Sequence, residues 1–205
     1  AVQAGTVPMS VLDDKLIRRF RVTMQLGLWD NPPVAQSAIP SSVGATDGVT
    51  ARKIGEASSV LLKNSSNLLP LSASNIHSIA LIGQSPWAAV AKSSGGGTAG
   101  VHPIYSVTPL AGLQKRAPNA TITYNDGSDL ASAAAAAKAA DVAIVMVGDA
   151  RKEGMDYPIS LSGNQDSIVS TVAAANKNTI VVVKSGSVIL MPWVNQVSSI
   201  LEAWY

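Results

Sequence analysis

The chain has 205 residues, of which 47% are apolar and 14% charged, and it contains no cysteine. That length accommodates one sizeable domain and an appendage, not two full enzyme domains, and the apolar content excludes a disordered chain. A formal charge of +2 and an aromatic content of 4% argue against a nucleic-acid surface, no apolar run reaches the roughly 20 residues of a membrane helix, and the missing cysteine removes disulfides, thiolate metal sites and cysteine nucleophiles together.

Ser10 stands where a helix cap would, with Asp13 three residues on in the acid position of a capping box. Leu12, Leu16, Ile17, Phe20 and Met24 then share one helical face, and Gly27 reads as the C′ stop. Arg18, Arg19 and Arg21 read as a solvated face of that helix. Pro32 and Pro33 break it. The Ser-, Ala-, Pro- and Gly-rich stretch that follows reads as an exposed linker, residues 34–49, leaving 1–33 as one piece and 50–205 as the main domain. A second helical pattern runs from Ala51 to Lys63, with Ile54, Ala57, Val60 and Leu61 expected to face inward. The chain opens directly into a helix and stops inside an apolar strand pattern at Leu201–Tyr205, as expected of a segment of a longer protein.

From residue 76 the period changes. Ile79–Ile82, Ile122–Tyr124, Val142–Val147, Ile180–Val183 and Ile200–Leu201 are short apolar runs suited to strands buried on both faces. Between them lie an alanine-rich helix over 129–138, capped by Asp129 or Ser128, and a helix through Ile168, Val169 and Val172 that Ser162 and Gln165 would open as a capping box. Strands alternating with helices predict right-handed β-α-β crossovers and a three-layer α/β sandwich around a mainly parallel sheet.

In such a sheet ligands meet the loops at the carboxyl ends of strands. The loop after the 142–147 run, Gly148 to Pro158, is the most polar stretch of the chain, with Asp149, Glu153 and Asp156 beside Arg151 and Lys152. Composition alone leaves a solvated crossover loop as the plainer reading. Gly95, Gly97 and Gly100 fit G-x-G-x-x-G, but the fingerprint needs a helix directly after it, and Pro103 with Ile104 and Tyr105 looks extended. His77 and His102 have no second ligand at helical spacing, so no metal is assigned. Ser85 lacks the closing glycine of a nucleophile elbow. No cofactor is assigned either.

The segments together resemble the carboxyl-terminal part of glycoside hydrolase family 3. Val11-Leu-Asp-Asp-Lys-Leu-Ile-Arg-Arg19 followed by Gly27-Leu-Trp-Asp-Asn-Pro32 is similar to the end of that family's barrel domain. Ala51-Arg52 through Glu56-Ala-Ser-Ser-Val-Leu-Leu-Lys-Asn64, followed by Leu68-Leu-Pro-Leu71, is similar to the entry to its second domain. Gly95-Gly-Gly-Thr98 with Val107-Thr-Pro-Leu110, and Glu153-Gly-Met-Asp156 with Leu161-Ser-Gly-Asn-Gln165, match in order. Two departures stand out. Tyr157 replaces the arginine usual after the aspartate, which alters how an ion pair would pin the loop, and Ser162 stands where proline is common.

The resemblance implies that residues 1–33 are the tail of an amino-terminal (β/α)8 barrel domain, the rest of which this chain lacks. It implies a retaining, exo-acting hydrolase of terminal β-linked glucose or xylose, in which the missing barrel supplies the aspartate nucleophile. Retention needs two carboxyl groups about 5–5.5 Å apart. Glu153 is implied as the acid/base, with Asp149 or Asp156 as alternatives on the same loop, and Thr98 as a sugar-binding hydroxyl or a simple turn hydroxyl. Trp87 and Tyr157 are candidate walls of an aglycone subsite, while Trp193 suits the core. The partners implied are a β-linked glycoside and the barrel, with no nucleic acid and no membrane. The competing class is a non-catalytic sugar-binding or bracing module, inactive without a barrel. Asn64-Ser-Ser66 and Asn119-Ala-Thr121 fit the glycosylation pattern, and polymer-derived substrates favour secretion.

Overall fold

The computed structural model describes residues 1–33, 41–90, 103–151 and 154–204. The chain divides into two compact units, Ala1–Gly44 and Ala45–Tyr205. In the first, helix α1 spans Met9–Gln25. Pro8 is its N-cap and no side chain caps it, so Ser10 lies inside the first turn and the expected capping box with Asp13 does not form. Proline's fixed φ, here −61°, already sets the chain's direction into the helix. The far end follows the sequence. Gly27 at φ +66° donates to Met24 O and Leu28 donates to Thr23 O, a Schellman closure that a left-handed glycine permits. No residue of α1 is buried, Ile17 and Met24 being more than half exposed. Arg18 pairs with Asp14 one turn away on the solvated side.

Helix α2 (Ser41–Ser58), which belongs to the second unit from Ala45 onward, begins inside the stretch that composition assigns to a linker and ends before the expected Lys63. Tyr105 lies against the helix at Gly48, where a Cβ would collide with the ring. The hydroxyls of Ser58 and Ser59 both donate to Gly55 O, which closes the last turn. Val60–Asn64 is strand β1, paired antiparallel with the last strand. Ile54, Ala57, Val60 and Leu61 are exposed instead of inward.

The other strands fall where the apolar runs predict: β2 (Ser78–Ile82), β3 (Thr121–Asn125), β4 (Val142–Gly148), β5 (Thr179–Lys184) and β6 (Ser199–Glu202). They form one six-stranded sheet in the order β1-β6-β5-β4-β2-β3, parallel except for β1. The connections carry helices α3 (Ser85–Ala88), α4 (Pro109–Arg116), α5 (Leu130–Lys138) and α6 (Gln165–Ala175). All seven residues of β4 are buried. Side chains alternate between two cores, as period-two geometry requires. Ala80, Ile82, Val145 and Val147 join α5, α6 and Trp193 on one face. Ile79, Leu81, Ile144 and Met146 join Trp87 and the inner side of α4 on the other. The three-layer α/β sandwich with a mainly parallel sheet is the architecture observed. Asp129 caps α5 through Ala131 N–H, as its position predicts.

Asn64 is half-buried, and its amide cross-links three segments. Nδ2 donates to Leu69 O at 2.8 Å, while Oδ1 accepts from Leu69 N and Ser199 Oγ. Asn119 is exposed beyond α4.

Candidate active site

The strand order creates one topological switch point. From β2 the chain crosses to β3, returns over β2 to β4, and then proceeds to β5 and β6 in the opposite direction. The crevice between the carboxyl ends of β2 and β4 is where open parallel sheets admit ligands. The polar loop after β4 starts there.

Three residues fix its root. β2 pairs with β4 only as far as Ile82 against Val145, whereas β4 runs on to Gly148. Gly148 thus presents a main-chain N–H and C=O to a strand that has ended. The fully buried Gln165 fills the gap: Oε1 accepts from Gly148 N at 2.8 Å, and Nε2 donates to Gly148 O and Ser162 O at 3.0 Å each. A primary amide has the donor and acceptor layout of a peptide, so it stands in for one residue of missing strand. This also corrects the capping-box expectation. The helix starts at Gln165 with Asn164 as N-cap, and Ser162 offers its carbonyl to Gln165 instead of capping α6 with its hydroxyl. At the end of β2, Gly83 has φ +145°, and a Cβ there would strike Met146 O. At Gly148 a Cβ would lie 2.6 Å from Lys184 O and from the Trp87 ring. Both glycines are therefore required by close approach.

Beyond Gly148, the loop folds back on its own base. Asp149 N donates to Lys184 O. The Asp149 carboxylate accepts from Arg151 Nε through one oxygen and from Gly186 N at 3.3 Å through the other. Arg151 Nη2 reaches Pro158 O and Val188 O at 3.4 Å each, and its guanidinium lies 5.9 Å from the centre of the Tyr157 ring. Both members of the Asp149–Arg151 pair are mostly buried, at 12% and 17% exposure. Arg151 lies six residues before Tyr157, the position at which the resemblance expects an arginine, and its guanidinium lies against the Tyr157 ring.

The structure places the sequence candidates unevenly. Asp149 has both oxygens engaged and serves as an anchor. Asp156 is exposed, and Gly154 turns at φ +75° with open space around it. Glu153 and Lys152 lie outside the described residues, as do Thr98 and His102. Trp87 is 5% exposed and Trp193 is fully buried, donating from Nε1 to Asp166 at 2.7 Å. Trp87 is therefore core and not a subsite wall. Tyr157 is half-exposed on the loop. Lys184 is buried, its ammonium donating to Trp87 O.

Two supports of the loop's root escaped the sequence reading. One is the Gln165 clamp. The other is Glu202, 6% exposed at the end of β6, which accepts from Ser185 N, Ser185 Oγ and Trp204 N. It holds the turn whose Gly186 N–H in turn holds Asp149. At the amino ends of β2 and β4, Asp141 accepts from His77 N and Ser78 N. These backbone bonds hold its carboxyl below the ordinary carboxylate range, and His77 Nδ1 lies 3.9 Å away.

A model of the Glycosyl hydrolase family 3 C-terminal domain matches residues 59–205. A beta-xylosidase of Formosa agariphila is 32% identical to the chain, the match covering 96% of the chain and 30% of that protein. Thermostable beta-glucosidase B of Acetivibrio thermocellus is 35% identical over 75% of the chain and 22% of its own length. Among solved structures, the Beta-D-glucoside glucohydrolase from Trichoderma reesei matches with a TM-score of 0.78 at 27% identity, over the whole chain and 32% of that protein. The chain spans about a third or less of the length of these proteins.

Proposed function

The chain belongs to glycoside hydrolase family 3, and from that membership we propose that it is the part of a retaining exo-β-glycosidase that carries the acid/base loop. The substrate class proposed is a glycoside ending in β-linked glucose or xylose. The names of the relatives, a beta-xylosidase and a beta-glucosidase, support it. The single observation that carries the mechanism is the loop of residues 149–158. It leaves the sheet at its switch point from a root fixed by Gln165, and its sequence holds the Glu-Gly-Met-Asp motif.

In this reading Glu153 donates its proton to the departing glycosidic oxygen while an aspartate of an amino-terminal barrel domain attacks the anomeric carbon. The resulting Glu153 carboxylate then takes a proton from water as the water displaces the enzyme from the glycosyl ester. Thr98 is proposed to bind a sugar hydroxyl. No cofactor takes part in the scheme. Secretion is proposed from the polymer-derived substrate class.

The experiment is Glu153→Ala in a protein that includes the barrel. Cellobiose, whose leaving alcohol needs a proton, should lose turnover by roughly 10²–10⁴-fold. Dinitrophenyl glucoside should still form the glycosyl-enzyme, so that KM falls with kcat, and azide should restore turnover and yield β-glucosyl azide. Equal slowing of both substrates, with no azide rescue, would make Glu153 structural. The isolated 205-residue chain, with one of the two carboxyl groups, should hydrolyse neither substrate.

A further inference from the structure

We propose that Arg151 is a positioning residue of the glycosidase reaction, acting as a staple across the neck of the loop on which Glu153 lies. The inference rests on the proposed role of Glu153 and adds to it a determinant outside the family motif.

The geometry is that of a closed neck. Residues 151 and 158 flank the segment that holds Glu153. Arg151 Nη2 reaches Pro158 O on the returning limb and Val188 O on the segment after β5, so one guanidinium ties the outgoing limb, the returning limb and a neighbouring loop. Tyr157, also on the returning limb, lies against the same guanidinium. The position of Arg151 is set in turn by Asp149 through Nε. Asp149 is held by Gly186 N–H, and the adjacent Ser185 is held by the buried carboxylate of Glu202. A continuous run of polar contacts therefore links the end of β6 to the neck of the loop.

Two features set this apart from a surface ion pair of no consequence. The pair is mostly buried, and the guanidinium fork is used in three directions at once, which a lysine ammonium on a flexible stem does not reproduce. A displacement of about 1 Å in a group that must meet a leaving oxygen costs about 10²-fold in rate. Loosening the neck should therefore be felt where proton delivery limits the reaction and not where it does not.

The test uses the protein with its barrel domain and compares Arg151→Met, Arg151→Lys and Asp149→Asn on cellobiose and on dinitrophenyl glucoside. Arg151→Met should lower kcat/KM for cellobiose by about 10–100-fold while glycosylation by dinitrophenyl glucoside changes by about threefold or less. Arg151→Lys should fall between Met and wild type, since it keeps the charge and loses the fork. Asp149→Asn, which keeps an acceptor for Gly186 N–H, serves if the Met variant does not fold. Asp166→Asn, which weakens the bond to Trp193 away from the loop, controls for lost stability and should leave the ratio between the two substrates unchanged. Equal slowing of both substrates by Arg151→Met and Asp149→Asn, or no slowing by either, overturns the staple while a leaving-group effect in Glu153→Ala still stands. Absence of that effect in Glu153→Ala itself removes the acid/base assignment first, and the staple with it.

Discussion

Replacing Gln165 by Leu tests whether one buried amide completes the sheet at the switch point. The side chain makes three hydrogen bonds at 2.8–3.0 Å, two of them to Gly148. Their net loss is about 1 kcal/mol each, and the buried N–H and C=O of Gly148, left without partners, add about 1–3 kcal/mol each. Since not all of this is additive, a loss of about 4 kcal/mol is expected. With a urea m-value of about 2 kcal/mol/M, the unfolding midpoint followed by tryptophan fluorescence should fall by about 2 M. Gln165→Glu separates the amide's pattern from its shape. One carboxylate oxygen can still accept from Gly148 N–H, but the other faces the carbonyls of Gly148 and Ser162, so only the protonated acid fits. Its folded pKa must then lie above the unfolded value of about 4.3. A raised carboxyl pKa means the folded state binds more protons, so this variant is most stable below about pH 4 and weakens as pH rises through the interval between the two values. A midpoint within about 0.5 M of wild type for the Leu variant, or a stability of the Glu variant that tracks wild type across that interval, would refute the clamp.

Gly83→Ala should cost about 3 kcal/mol or more, because the new Cβ meets Met146 O at a φ of +145°; urea unfolding measures it, and a neutral result would mean that the ends of β2 and β4 separate freely. Asp141 has a lowered pKa, so its contribution is present above the ordinary carboxylate value and is lost as pH falls through the lowered one. Acid titration followed by circular dichroism should show that limb in wild type and a flatter one in Asp141→Asn.

The fold was legible where apolar runs are dense. Five of the six strands coincide with the runs 79–82, 122–124, 142–147, 180–183 and 200–201, because strands covered on both faces are dense in apolar residues; β3, at the edge of the sheet, is mostly exposed and does not meet the expected burial on both faces. The miss was β1. Val60-Leu-Leu continues a helical pattern from Ile54, and no local signal says that the pattern is interrupted at Ser58 and Ser59. What decides it is pairing with β6, some 140 residues away, together with a bond from Trp204 Nε1 to Ser58 O. Tertiary pairing overrides a local period here, and periodicity cannot report a partner that distant.

The site was legible to a different depth. The loop could be found because a polar run directly after the most buried strand is a composition signal, and the parallel topology gives its location meaning. How that loop is held could not be read. In sequence Asp149 reads as an alternative acid on the loop, Arg151 as one of its cations and Gln165 as half of a capping box, while Glu202 sits in what reads as an apolar strand end; none of these readings gives the bonds they make. Their roles depend on which main-chain groups the topology leaves without a partner. Gly148 is orphaned because β2 is shorter than β4 at that end, and the loop after β5 approaches Asp149 because β5 is the next strand over. Polar residues in such positions are selected by an accounting of main-chain donors and acceptors. That accounting becomes visible only when strand lengths and order are known together. A motif search therefore finds a candidate for the chemistry more readily than the residues that fix the root of its loop. In this chain Asp149 and Arg151, which bond to each other at the start of the loop, lie four and two positions before the proposed acid/base Glu153 and carry no motif of their own.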